Sequence, residues 1–349
     1  MSFPREDYRV LEPYAPDRRP VAVDLSDNTN RWGPHPAALA VFRNASPESL
    51  TRYPSVYADT LKSAVAERWD VPGECVATGC GSDDLLDSTF RAVSAGGGAV
   101  AYMDPTFSMI PIFSRMNGLE SVAVPWSEAE EDPDRLVATG AAAVYVCAPN
   151  NPTGLVPRSG WLEGLLDAVG PEGPVVVLDE AYAEFADESR ITTAPDTRRL
   201  LVLRTLSKAF GLAGLRIGYA VGPADVVAEV EKSRGPYKVG RIDEEAAVQA
   251  LRASGEWIDG IVRQTRDNRT RLIGELDDRQ LRPLPSQGNF VFLPVAPRTT
   301  AEVTKGLRDR GVAVRPFPDV PELGDGVRVT IGPWEMMERF LNALDEVIS

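Results

Sequence analysis

The chain has 349 residues, 43% hydrophobic and 25% charged, the balance of a globular protein long enough for one large domain and a smaller one. Acidic residues outnumber basic ones 51 to 37, for a net charge of −14, which opposes general binding to nucleic acid or to an anionic membrane surface. The longest apolar stretch, residues 200–221, is interrupted by Arg204, Lys208 and Arg216, so no segment reads as a membrane span.

The first ten residues carry no apolar signal core, and cytoplasmic residence is expected. The three cysteines, Cys75, Cys80 and Cys147, are odd in number and lack metal-type spacing. A reduced compartment without disulfides follows. The one histidine, His35, lies in Gly33-Pro34-His35-Pro36 and reads as a loop residue. Neither a Ser-His triad nor a zinc site can be built around it, so any chemistry falls to Lys, Asp, Tyr, Arg or a cofactor.

In chain order, residues 59–69 and 83–93 pattern as amphipathic helices. Residues 141–150, 174–182 and 200–208 are short Val-rich runs that end in polar residues, as buried parallel strands do. Residues 159–169 form a helical pattern between two of them. This alternation predicts a parallel or mixed α/β sheet whose ligands gather at the carboxyl ends of the strands. A helical stretch over residues 243–276 follows. Strand-like runs at 289–295, 311–317 and 326–332, with helices near 300–310 and 334–347, then suggest a smaller α+β domain. The expected division is 41–245 for the large domain, with 1–40 and 246–349 forming the small domain and an N-terminal arm.

Three motifs fall at predicted strand ends and a fourth opens a predicted helix. Ser207-Lys208 ends the third Val-rich run and leads into an apolar, Gly-rich segment with Arg216. A desolvated lysine amine loses its proton readily and becomes nucleophilic, and Ser207 and Arg216 suit a phosphate. Asp179 and Tyr182 follow a buried strand, where a carboxylate needs a partner. That partner is a protonated ring nitrogen, a salt bridge or a helix N-terminus. Asn150-Asn151-Pro152-Thr153-Gly154 has turn chemistry at another strand end. Gly79-Cys80-Gly81-Ser82-Asp83 opens a helix and suits a small phosphate, although it lacks the third glycine of a dinucleotide fingerprint.

Taken together and in this order, these motifs resemble those of fold-type I, class I/II aminotransferases, and most of all histidinol-phosphate aminotransferases, over nearly the whole chain. The resemblance implies a large α/β domain with a mostly parallel seven-stranded sheet, a small α+β domain, and pyridoxal 5'-phosphate (PLP) as cofactor. By position, Lys208 resembles the lysine that holds the cofactor as a Schiff base, and Asp179 the carboxylate that keeps the ring nitrogen protonated. Tyr182 and Asn151 resemble the groups bonded to the ring's phenolic oxygen. Ser207, Arg216 and the backbone of Gly81, Ser82 and Asp83 resemble the phosphate cradle. Phe107 takes the position of the aromatic that stacks on the ring. Tyr53 resembles the tyrosine that reaches the neighbouring subunit's cofactor, which implies a homodimer with shared sites.

For the substrates, a small amine and an oxo acid, Arg328 resembles the carboxylate-gripping residue. Arg315 and Tyr14 match positions that touch a distal phosphate, although a strand arginine in an acidic protein also commonly forms an ion pair. The segment Asn28-Thr29-Asn30-Arg31-Trp32-Gly33 departs from the family's usual Asn-Glu-Asn-Pro-Tyr-Gly. It places Arg31 and Trp32 where the family lines its substrate entrance and so bears on specificity. The expected reaction is amino-group transfer between a histidinol phosphate-like amine and 2-oxoglutarate. The alternative is a decarboxylase or lyase, of the threonine-phosphate decarboxylase type or a secondary-metabolism enzyme on the same fold, which would use the same cofactor residues.

Overall fold

A computed structural model describes every residue except 1, 2, 5, 14, 16, 18, 95, 96 and 349. Among the described residues the strands are β1 (Val23–Leu25), β2 (Val76–Cys80), β3 (Ala99–Asp104), β4 (Glu120–Pro125), β5 (Ala143–Cys147), β6 (Val175–Asp179), β7 (Leu200–Thr205), β8 (Ile217–Val221), β9 (Phe290–Pro294), β10 (Val312–Val320) and β11 (Gly324–Thr330). A seven-stranded sheet runs in the order β2-β8-β7-β6-β5-β3-β4 and a four-stranded sheet in the order β1-β10-β11-β9. In the larger sheet β8 is antiparallel to both neighbours and the other pairings are parallel. This is the expected α/β architecture with a second, smaller sheet.

Period-two alternation splits the large sheet's side chains between two cores. Val144, Val146, Val176, Leu178 and Val202 face Leu61 and Val65 of helix Asp59–Trp69 and Trp161 and Leu165 of helix Trp161–Val169. The intervening Ala143, Tyr145, Cys147, Val177 and Leu203 face Leu85 and Phe90 of helix Gly81–Val93. Both faces are covered by helices, so the central strands read as continuous apolar runs.

The predicted helix over 243–276 is two helices, Arg241–Arg252 and Gly255–Asp278. Ala253-Ser254 separates them, and the Ser254 hydroxyl donates back to Leu251 O at 2.9 Å. Ile258 of the second helix joins a large-sheet core, whereas Leu272 and Leu276 pack with Val291, Leu293 and Val327 of the small sheet. β1 pairs in parallel with β10. That pairing brings residues 26–30 across from the carboxyl ends of the large sheet. No helix among the described residues is long and apolar enough to cross a membrane.

Candidate active site

Parallel β5, β6 and β7 deliver their carboxyl ends to one edge of the large sheet. Asn151, Asp179 and Ser207-Lys208 leave from that edge. Antiparallel β8 starts there, so Arg216 sits at the same edge by preceding its strand. β2 ends there and runs into helix Gly81–Val93. From the small sheet, Arg315 and Arg328 are direct register partners of β10 and β11 and face the same opening. The result is a cavity of about 680 Å³ lined by Ser82, Asp83, Phe107, Asn151, Asp179, Tyr182, Ser207, Lys208, Arg216, Arg315 and Arg328.

Lys208 Nζ lies 3.4 Å from Asp27 O and 5.6 Å from the centroid of the Tyr182 ring. Burial, reinforced by the Arg328 guanidinium, pulls its pKa down to about 8. Asp179 is 4% exposed. Its Oδ2 accepts from the Tyr145 hydroxyl at 2.7 Å and its Oδ1 from Ala181 N at 3.1 Å. Burial pushes Asp179 up to about 6, against the opposing effect of the Tyr145 hydrogen bond. The Tyr182 hydroxyl accepts from Asn28 Nδ2 at 3.1 Å, and burial pushes its pKa up. Arg328, 6% exposed, donates through Nη1 to Asn151 Oδ1 and through Nη2 to Ser26 O at 2.8 Å.

The cradle at the opening of helix Gly81–Val93 depends on glycine. Gly81 has φ +82, and a Cβ there would lie 2.6 Å from Arg216 Nη2. A Cβ on Gly218 of β8 would lie 2.4 Å from Gly81 C and from Ser82 N, so the strand must be bare for the loop to approach it. Arg216 reaches Asp83 Oδ2 at 3.2 Å and Ser207 Oγ at 3.5 Å. Free helix N–H groups, a hydroxyl and a guanidinium together form a donor set for a phosphate. With an amine that is readily unprotonated, a buried carboxylate and the Phe107 ring in the same cavity, the residues fit a phosphorylated, nitrogen-containing aromatic aldehyde such as PLP.

The other predicted residues lie elsewhere. Trp32 packs against the small-sheet core and donates through Nε1 to Gln264 Oε1 at 3.1 Å. Arg31 lies 3.6 Å from Asp24 and 3.9 Å from Asp27. From the same segment it is Asp27 and Thr29 that line the cavity, and Asn28, at φ 58, that reaches Tyr182. Tyr53 is 81% exposed, its ring tilted at 35° to that of Tyr237 with centroids 5.1 Å apart. Tyr14 lies outside the described residues. Motif reading also passed over Tyr145, Gly218 and Phe317, of which Phe317 lines the cavity beside Arg328.

Residues 20–344 match the sequence profile of the family described as aminotransferase class I and II. An aromatic amino acid aminotransferase of Streptomyces coelicolor is 37% identical, over 97% of this chain and 94% of its own length. Histidinol-phosphate aminotransferase 1 of Bradyrhizobium diazoefficiens is 34% identical, over 97% of each chain. Among solved structures, the histidinol-phosphate aminotransferase from Sinorhizobium meliloti, in complex with pyridoxal-5'-phosphate, superposes with a TM-score of 0.88. It is 27% identical, with 100% of this chain and 98% of that chain covered.

Proposed function

We propose, given that this chain belongs to the aminotransferase class I and II family and uses PLP, that it moves an amino group from a histidinol phosphate-like amine to 2-oxoglutarate. The observation that carries the reading is the convergence of Lys208, Asp179, Arg216, Arg315 and Arg328 on one cavity. Bound PLP supplies an aldehyde for the amine and a ring that withdraws electrons from the bonds at Cα.

Each residue then has a task. Lys208, with its depressed pKa, holds the cofactor covalently. With the cofactor bound, Lys208 Nζ would be the base that takes the Cα proton and returns it. Asp179 keeps the ring nitrogen charged, and Asn151 and Tyr182 hydrogen-bond the ring oxygen. Ser207, Arg216 and the N–H groups of Gly81, Ser82 and Asp83 hold the phosphate, and Phe107 covers the ring. Arg328 grips the carboxylate of the returning amino acid, since a guanidinium and a carboxylate pair in bidentate fashion. Arg315, two residues from Phe317 on β10, takes the distal phosphate. Tyr53 cannot serve its own cavity from an exposed face. With Leu50 77% exposed, and Leu39, Phe42 and Val56 also exposed in the same part of the chain, it fits a homodimer in which Tyr53 reaches the partner's cofactor.

A second reading, an aromatic amino acid as the amine, is favoured by Phe317 and Met109 in the cavity lining and by the name of the Streptomyces coelicolor relative. An amine panel with 2-oxoglutarate, read for glutamate and for CO2 together, tests the reaction class: glutamate without CO2 is expected, and CO2 release would overturn transamination. Single-turnover half-reactions of Arg315→Ala separate the amines. Loss of a charge-assisted contact should weaken the phosphorylated amine's half-reaction by about 1.5–3 kcal/mol and leave the glutamate half-reaction near normal. An unchanged amine half-reaction would overturn the distal-phosphate reading.

A further inference from the structure

Tyr145 stands in the middle of β5, 0% exposed, in a strand whose other members are Ala, Val and Cys. A fully buried phenol needs a partner for its hydroxyl. The sheet register decides which one it finds. Tyr145 is opposite Val177 and Cys147 is opposite Asp179, so Tyr145 lies on the same face as Asp179, one diagonal step away, within reach of a long side chain. Its hydroxyl donates to Asp179 Oδ2 at 2.7 Å, while Ala181 N donates to Oδ1 at 3.1 Å. Each carboxylate oxygen thus has one fixed donor, and the side chain is held in a single orientation.

We propose that Tyr145 is the positioning residue of this site, holding Asp179 oriented and ionised for the cofactor's ring nitrogen. This rests on the assignment of Asp179 above. The physical basis is the asymmetry of hydrogen bonding. A donor to the charged form of an acid stabilises that form, and the Tyr145 hydroxyl keeps its proton to donate to Asp179, because burial and the adjacent Asp179 push its own pKa well up. Against it stands desolvation, which favours the protonated acid.

The other titratable groups facing Asp179 are few among the described residues. Asp83, on helix Gly81–Val93, repels its charge, and Lys208, after β7, attracts it. The Cys147 thiol of β5 is pushed up by burial and stays protonated, and the Tyr182 hydroxyl is likewise raised. Lys208 is the amine consumed in holding the cofactor, so its charge is not a dependable partner for Asp179. Without the Tyr145 hydroxyl, the proton on the ring nitrogen would pass to an Asp179 oxygen. That leaves a neutral acid beside a neutral ring and a weaker electron sink.

The test is Tyr145→Phe in the holoenzyme, loaded with cofactor labelled at the ring nitrogen. The nitrogen chemical shift should move toward that of neutral pyridine. The turnover number should fall roughly tenfold, with KM for the oxo acid changing less than twofold, and cofactor affinity of the cofactor-free protein should weaken. In an Asp179→Asn background the same change should add nothing. Replacement of Tyr145 by para-aminophenylalanine, which keeps a weaker donor in place, should restore much of the shift and the turnover. This variant also answers for the case in which the Phe variant folds poorly. If Tyr145→Phe leaves shift and turnover as in the parent while Asp179→Asn moves both, the proposal is overturned and the Asp179 assignment stands. If Asp179→Asn leaves the shift unmoved as well, that assignment falls and the proposal with it.

Discussion

Replacing Lys208 by Met should make the cofactor-free protein more stable, and the gain should vanish as pH rises. The amine titrates at 10.5 in an unfolded chain and at about 8 in the fold. At roughly 1.36 kcal/mol per pH unit of difference, the charged form is penalised by up to about 3 kcal/mol. The amine faces a cavity that admits water, so about 2–3 kcal/mol is the figure to expect at pH 7. Between pH 8 and 10.5 the unfolded chain binds more protons than the folded one, so the parent's stability rises with pH across that window. Lys208→Met lacks this rise. Urea midpoints of the two cofactor-free proteins, taken at steps from pH 7 to 10.5, should therefore differ most at neutral pH and converge at the alkaline end. Midpoints that run parallel across the window would refute a desolvated amine. The same depression leaves about one Lys208 amine in ten neutral at pH 7, against roughly three in ten thousand for an ordinary lysine.

Asp179→Ala should cut turnover by roughly two orders of magnitude or more while PLP still binds through its phosphate contacts; near-normal turnover in steady-state assays would remove Asp179 from the mechanism. Mixing an inactive Tyr53 variant with Lys208→Ala should restore partial activity after subunit exchange, because one site of the mixed dimer is intact, and no recovery would count against shared sites. Gly218→Ala places a methyl 2.4 Å from Ser82 N and should weaken cofactor binding at least roughly tenfold in equilibrium titration, as steric intrusion displaces the phosphate contacts. Unchanged affinity would show that the cradle does not hold the phosphate.

The legible parts of the sequence were those where one physical signal dominates. β5, β6 and β7 announce themselves as Val-rich runs because helices cover both faces of the sheet. Helix Asp59–Trp69 was placed to the residue by its periodicity. β4 has partly exposed positions along most of its length at the sheet edge, and its mixed pattern, ESVAVP, gives no comparable run. β2 was hidden by its glycine, which reads as a loop. At the site, motif order picked out residues that the fold gathers in one cavity but not which side chains of residues 28–33 face inward. That depends on the backbone turning at Asn28, where φ is positive, and on the Thr330 hydroxyl accepting from Asn28 N at 3.0 Å across 302 residues. Tyr145 was hidden for a related reason. A single Tyr among valines looks like one more apolar residue until the register places its hydroxyl beside a buried carboxylate.

That register also explains why two adjacent buried acids have different fates. Asp179 and Glu180 leave β6 together, and both are nearly inaccessible. Glu180 meets Arg204 of β7, whose Nε lies 3.0 Å from Oε2, while Arg204 Nη1 reaches Glu184 at 2.9 Å and the Arg204 guanidinium stacks over Trp69. Glu180 Oε1 also accepts from Arg190 N at 2.7 Å. A permanent cation and a backbone donor thus occupy it fully. A buried ion pair of this kind adds little net stability, because desolvation offsets the attraction, but it fixes the segment that carries it. Asp179 receives only neutral donors, Tyr145 and the Ala181 N–H. It keeps its charge without surrendering it to a fixed counter-ion. A cationic ring nitrogen can therefore complete the pair, and only while the cofactor is bound. Had the arginine of β7 reached Asp179 instead, the carboxylate would be lower in pKa and already neutralised, and less able to stabilise a proton on the cofactor.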